Sequence, residues 1–196
     1  MLTLKGAAIA ARLLLFLILV GTKKHPRLRV YLFATFCVNL VKAQLPSLIV
    51  HPPPFTGTDK LVFLFDGALF TVSPVILGWA VGGQAWKPLA GLWATVLAGV
   101  ALAYPSIRGD ALERLYLAEL VTAHIAVLAA FIVRATRKKH KATVEDAAYG
   151  SLAVLGLSGS VLAVTWPEDW GVIQIANLTT YTMLCALHIR THWNTV

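Results

Sequence analysis

The residues in this chain that could do chemistry are few, and most sit inside apolar stretches. Lys42, Asp66 and Glu119 are ionisable groups within three long apolar runs, and Asn177 lies in a fourth. An ionisable group in lipid is costly, and such residues mark ion pathways, proton relays or ligand counter-ions. Asn39 precedes Lys42 by three residues and Tyr116 precedes Glu119 by three, so each pair shares a helix face. Counting about 1.5 Å per helical residue, Lys42 lies roughly 12 Å deep, Asp66 about 8 Å, and Glu119 and Asn177 about 9–12 Å. Four helices are thus expected to hold polar groups at similar depth, converging on a pocket open to one side. The competing reading is glue: polar residues between membrane helices often only hydrogen-bond their neighbours.

Three histidines and one arginine also call for a reading. His124 is expected near the middle of its helix, where it could relay protons. Haem would need an axial partner at matching depth, and no other helix offers one, so no cofactor is predicted. His124 and Glu119 differ by five residues, about 140° around a helix, and cannot form one tight pair. His188 and His192 are four apart in the run HIRTH and could present two imidazoles to a zinc ion. This run resembles the terminal-helix HxxxH of seven-helix zinc hydrolases such as alkaline ceramidases. That resemblance implies a further Ser/His/Asp set on other helices; here only His25 and His140, both in basic loops, could add a ligand. The bland reading is a pair of interfacial residues ending a helix. Arg12, in the middle of an apolar run, either snorkels or faces another helix. No Walker motif, HExxH, GxSxG or CxxC is present. The last apolar run has no lysine for a retinal Schiff base, and the Asn177-Leu178-Thr179 sequon falls inside it.

The elements that must position these groups are membrane helices. Of the 196 residues, 58% are hydrophobic and 13% charged, about half the charge of an ordinary soluble domain. Seven segments approach the roughly 20 apolar residues a spanning helix needs: Leu4–Val20, Val30–Val50, Leu61–Gly82, Pro88–Tyr104, Ala111–Val133, Val144–Trp166 and Gly171–Ile189. The breaks between them carry Pro and Gly, as in His51-Pro52-Pro53-Pro54, Gly82-Gly83 and Pro105-Ser106. The first run lacks a small-x-small cleavage site and is expected to be retained as a helix. Gly91, Thr95 and Gly99 form a small-residue stripe that predicts close helix packing. The fold expected is therefore all-α, a single seven-helix transmembrane domain over residues 1–196.

Charge gives the direction. One set of breaks holds eleven basic residues (Lys23, Lys24, Arg27, Arg29, Lys87, Arg134, Arg137, Lys138, Lys139, Lys141, Arg190), and the other holds three (Lys60, Arg108, Arg114). Basic loops stay in the cytoplasm. The amino terminus is expected outside and the carboxy terminus inside, in a multi-pass protein of the cell membrane. The net charge of +8 is explained by these loops rather than by a nucleic-acid face. The partners expected are the lipid bilayer, anionic lipid or a cytoplasmic protein at the basic loops, and a homo-oligomer or larger membrane complex. Cys37 and Cys185 both lie in apolar runs and imply no disulfide framework.

The order of features resembles the seven-helix membrane input modules of bacterial sensor kinases. The likeness rests on the basic turn Lys23-Lys24-His25-Pro26-Arg27 after the first helix, the stretch Val72-Ser73-Pro74-Val75-Ile76-Leu77-Gly78-Trp79 in the third, and Tyr104-Pro105 closing the fourth. No kinase follows the seventh helix, so the resemblance implies a sensory or ligand-binding module that signals to a separate partner. A proton or ion channel or carrier using Asp66, Glu119 and His124, a non-catalytic subunit of a membrane complex, and a zinc hydrolase are the alternatives.

Overall fold

The computed structural model describes residues 3–23, 25–44, 57–82, 84, 86–103, 109–136, 143–165 and 170–193. Among them the chain is all-α, with seven helices: α1 Leu4–Gly21, α2 Pro26–Gln44, α3 Gly57–Val81, α4 Trp86–Ala103, α5 Gly109–Ala135, α6 Val144–Thr165 and α7 Trp170–Trp193. Six of them are long and apolar enough to cross a membrane. The exception is α2, whose 19 residues include Arg27, Arg29 and Lys42.

Local chemistry accounts for the ends. Thr3 caps α1 by accepting from the Gly6 N–H through its side chain, 3.2 Å. At the other end the Thr22 N–H and hydroxyl both return to the Ile18 carbonyl, 3.0 Å each. A tight turn follows, with left-handed φ at Lys23 (54°) and His25 (53°). Pro26 then opens α2 at the one helical position where its missing N–H costs nothing. The helix thus starts four residues before the expected Val30, and Arg27 and Arg29 ride on its first turn instead of in a loop. Thr143 and Asp146 form a capping box on α6, the Thr143 N–H donating to Asp146 Oδ2 (2.9 Å) and the Asp146 N–H to Thr143 Oγ1 (3.2 Å).

Six helices close a circuit: α1 packs on α2, α2 on α3, α3 on α5, α5 on α6, α6 on α7, and α7 on α1. α3 also reaches α6 across the middle, and α4 lies outside the circuit against α3 and α5. The Trp93 indole of α4 donates to the Ala68 carbonyl of α3, 3.3 Å. The core runs through Leu15, Leu19, Leu28, Leu32, Leu77, Val81, Val127, Leu152 and Leu184. The polarity is inverted relative to a water-soluble bundle. Asp66, Glu119, His124, Asp146, Ser160 and His188 are buried, whereas Phe33, Leu102, Ile125, Val133 and Met183 are more than half exposed. An apolar exterior around buried charge is what a lipid solvent selects.

The small-residue stripe departs from expectation. Gly91, Thr95 and Gly99 are exposed, and a Cβ on either glycine would meet nothing within 4 Å. The stripe faces away from the other helices because α4 packs on the bundle through Leu89, Trp93 and Val100.

Candidate functional site

α3 and α5 bring Asp66, Thr71, Tyr116 and Glu119 together. Asp66 (3% exposed) and Glu119 (4%) are both buried, and the Tyr116 phenol lies within electrostatic reach of the two carboxylates. The approach of the helices depends on Gly67. A Cβ there would stand 2.3 Å from Tyr116 Cζ, so the Tyr116 ring occupies the space that any side chain at 67 would need. Both carboxylate oxygens of Glu119 are buried with no full hydrogen bond among the described residues. The Thr71 hydroxyl is beside Glu119, but its one proton goes to the Gly67 carbonyl at 3.0 Å. The contact with Glu119 is therefore the weaker one.

Asn39 and Asn177, also expected at this depth, point elsewhere. The Asn39 side-chain amide donates to the Thr35 carbonyl one turn back (2.7 Å), and the Asn177 amide donates to the Ile173 carbonyl (2.9 Å). Each is engaged by its own helix, and α7 packs on α1 and α6 rather than on α3 or α5. The side chain of Lys42 lies outside the described residues, as does that of His192. His124 turns from Glu119 to α6, as the angular spacing requires. Its Nδ1 sits 2.9 Å from the Leu120 carbonyl and 3.0 Å from Ser160 Oγ. The imidazole fills a notch at Gly156, where a Cβ would be 2.3 Å from His124 Cδ2.

A second polar assembly ties together the end of the bundle that carries the α1–α2 turn. Arg134, in the last turn of α5, donates to the Val81 carbonyl at the end of α3. Its Nε is 3.1 Å from Asp146 Oδ1 and its Nη2 3.9 Å from Glu145 Oε2, both at the start of α6. The Tyr149 hydroxyl donates to Glu145 Oε1, 2.8 Å, and the Arg134 guanidinium lies over the Tyr149 ring. His25 Nδ1 approaches the same Glu145 at 3.3 Å, and its ring meets that of His188 edge-on with centroids 5.6 Å apart. Four helices and the α1–α2 turn thus meet at one network. The left-handed backbone at His25 costs about 1–2 kcal/mol for a residue with a Cβ, and the contact with Glu145 holds it there. His188 Nδ1 is 2.8 Å from the Leu184 carbonyl, so in the neutral ring Nδ1 carries the proton and Nε2 is the acceptor. Among the described residues no three His, Cys, Asp or Glu side chains converge as metal ligands.

Compared with known proteins, the chain matches no family model, no curated protein and no solved structure.

Two residues with undecided roles gain partners. Arg12 does not snorkel to an end: it lies over the Tyr181 ring, 4.7 Å from the centroid, and donates to the Thr35 carbonyl at 3.4 Å. Cys185 is buried with Sγ 3.7 Å from the Ala11 carbonyl. Glu145, Asp146 and Tyr149 were not among the residues singled out in the sequence. Thr143-Val144-Glu145-Asp146 before an apolar run carries the capping-box pattern that would have pointed to Asp146.

Proposed function

We propose that the chain is a seven-helix integral protein of the cell membrane, amino terminus outside and carboxy terminus in the cytoplasm, acting as a ligand-binding sensory module whose ligand is a proton or small cation. Asp66 and Glu119 hold that ligand in the outer half of the bundle, with Tyr116 and Thr71 beside them. The observation that carries the reading is Glu119, whose two buried oxygens have no full hydrogen bond among the described residues. An ionised carboxylate without donors in an apolar surround costs several kcal/mol. A bound proton or cation removes that cost, and a second acid at Asp66 raises the affinity of the place for either.

Connectivity supports the seventh crossing. α1 ends and α2 begins at the end of the bundle where α3 also ends, and an α2 that runs the full height would bring the chain to the start of α3. The basic residues gathered at that end support a cytoplasmic assignment.

Thermal unfolding of the purified protein tests the site. Stability is expected to depend on pH or on the cation supplied, because a ligand of the folded state raises its melting temperature. Glu119→Gln is expected to remove that dependence while keeping the fold. Parallel curves for the wild type and Glu119→Gln across mildly acid to mildly alkaline pH, and across sodium, potassium and calcium, would refute it.

The channel or carrier reading draws on His124 and Ser160, which extend the polar line beyond Glu119 along α5 and α6. Proton or cation flux in liposomes that Glu119→Gln abolishes would favour transport over sensing.

A further inference from the structure

We propose that Arg12 anchors a second site, specific for a small monovalent anion such as a halide or formate, in the middle of the bundle between α1, α2 and α7. The inference is independent of the reading of Asp66 and Glu119.

Arg12 is the ninth residue of the 18-residue α1, as far from either membrane face as that helix allows. A guanidinium carries five N–H donors and stays charged. The protein meets it with neutral groups. One Nη donates to the Thr35 carbonyl over a long 3.4 Å, and the Tyr181 ring lies against the planar face. Nε is buried and has no hydrogen-bond partner among the described residues. The rest of the side chain is half-buried, so the guanidinium is not sealed off.

The acids whose side chains are described are committed elsewhere. Asp66 and Glu119 are gathered by α3 and α5 around Tyr116. Glu145 and Asp146 engage Arg134 at the end of the bundle. Glu168 and Asp169 lie outside the described residues. Asp59 precedes Ser73 by 14 residues, about 21 Å. Asp110 and Glu113 belong to α5, which does not pack on α1. Among the acids whose side chains are described none is paired with Arg12, and the anion we propose for it comes from solution. Tyr31 adds neutral donors: it is close to Arg12, and its hydroxyl is within hydrogen-bonding reach of Ser73 and Tyr181. A cation with a ring face on one side, a phenol hydroxyl close by and no described carboxylate paired with it suits a small anion. An anion at that point removes the expense of an uncompensated charge at the centre of a membrane protein.

The experiment uses the full chain in detergent, unfolded thermally in sodium chloride and in sodium gluconate at equal ionic strength. Chloride is expected to raise the melting temperature by several degrees with saturation, bromide and formate to substitute for it, and gluconate, too large for the site, to have no effect. Arg12→Met is expected to abolish the chloride dependence, whereas Lys87→Gln, on the exposed first turn of α4, keeps it. Equal stability in chloride and gluconate, or a chloride effect that survives in Arg12→Met, would overturn the proposal. If Arg12→Met does not fold, wild-type crystals grown in bromide decide. An anomalous peak in contact with the Arg12 guanidinium supports the site; bromide found only at other residues overturns it.

Discussion

Replacing Arg134 by Met should be the most destabilising single change at the basic end of the bundle. Met keeps the length and apolar stem of Arg but deletes every charged contact. Besides the longer contact with Glu145 and the stacking on Tyr149, two interactions dominate the loss. The first is the hydrogen bond to the Val81 carbonyl, and bonds to charged groups contribute about 1.5–3 kcal/mol. The second is the ion pair with Asp146, whose side chain is 7% exposed. Breaking a buried pair costs about 3–5 kcal/mol, largely through the charge left behind. Two features lower the sum. Arg134 itself is 27% exposed, so water screens part of the pair. Asp146 also keeps the Thr143 N–H and hydroxyl as donors, at 2.9 and 2.6 Å, and is not left bare. The net expectation is a loss of about 3 kcal/mol, or a drop in melting temperature of about 6–12 °C for a chain of this size. Scans of both proteins in the same detergent at one heating rate measure it, since membrane proteins often unfold irreversibly. A double-mutant cycle with Asp146→Asn isolates the pair and should return a coupling of about 0.5–3 kcal/mol. A melting temperature for Arg134→Met within about 2 °C of wild type, where the entropy argument allows no more than a surface contact, would refute the account of Arg134 as the tie between α3, α5 and α6.

Two further outcomes follow from close approaches. Gly67→Ala should cost about 1–3 kcal/mol, because its Cβ would lie 2.3 Å from Tyr116 Cζ, and the loss should be smaller in a Tyr116→Ala background where the ring is gone; equal losses in both backgrounds, by thermal unfolding, would show that the ring does not fill that space. Cys185 is buried and should resist maleimide until the protein is denatured, whereas the partly exposed Cys37 should label in the folded state if lipid or detergent does not cover it. Mass spectrometry of tryptic peptides reads both, and labelling of Cys185 in the folded protein would contradict the α1–α7 packing.

Much of the architecture was legible in the sequence because the lipid constraint is severe. Long apolar runs separated by Pro and Gly breaks mark helices whatever their neighbours are, and the segments expected for α1, α4, α5, α6 and α7 match the observed ones closely at their starts. α2 was misjudged at its start for a physical reason: a search for lipid-compatible residues discards Arg27 and Arg29, although Pro26 is the signal that opens the helix. The gathering of Asp66 and Glu119 around Tyr116 could not be read. It depends on α4 lying outside the circuit so that α3 can reach α5, and no residue spacing encodes that. His124 and Ser160 are 36 positions apart, joined only because Gly156 leaves room for the ring. The network at Arg134 was partly hidden by its own composition. Eleven basic residues read as topology masked the fact that one of them is paired with acids.

The two polar regions are mechanically related, because α3 and α5 carry both. Asp66 and Thr71 sit on α3 and Glu119 on α5; further along, Val81 ends α3 and Arg134 ends α5, in contact with each other. The two helices differ in stiffness between these points. α3 contains Pro74, which cannot supply the N–H that the carbonyl four residues earlier would take, so the ladder is open between Asp66 and Val81. α5 has no proline or glycine from Asp110 to Ala135 and is an unbroken rod between Glu119 and Arg134. A change in occupancy at Asp66 and Glu119 that moves the helices apart would therefore be absorbed in α3 at Pro74 and delivered along α5. Its effect would arrive at the Arg134 guanidinium, which joins α5 to the carboxylates at the start of α6 and to the end of α3. His25 contacts the same Glu145 from the turn before α2, so the position of Arg134 bears on the strained turn between α1 and α2. On the sensory reading proposed above, α5 would be the continuous element between Glu119 and the Arg134 contacts, and a second arrangement of those contacts is what a signal crossing the bundle would require.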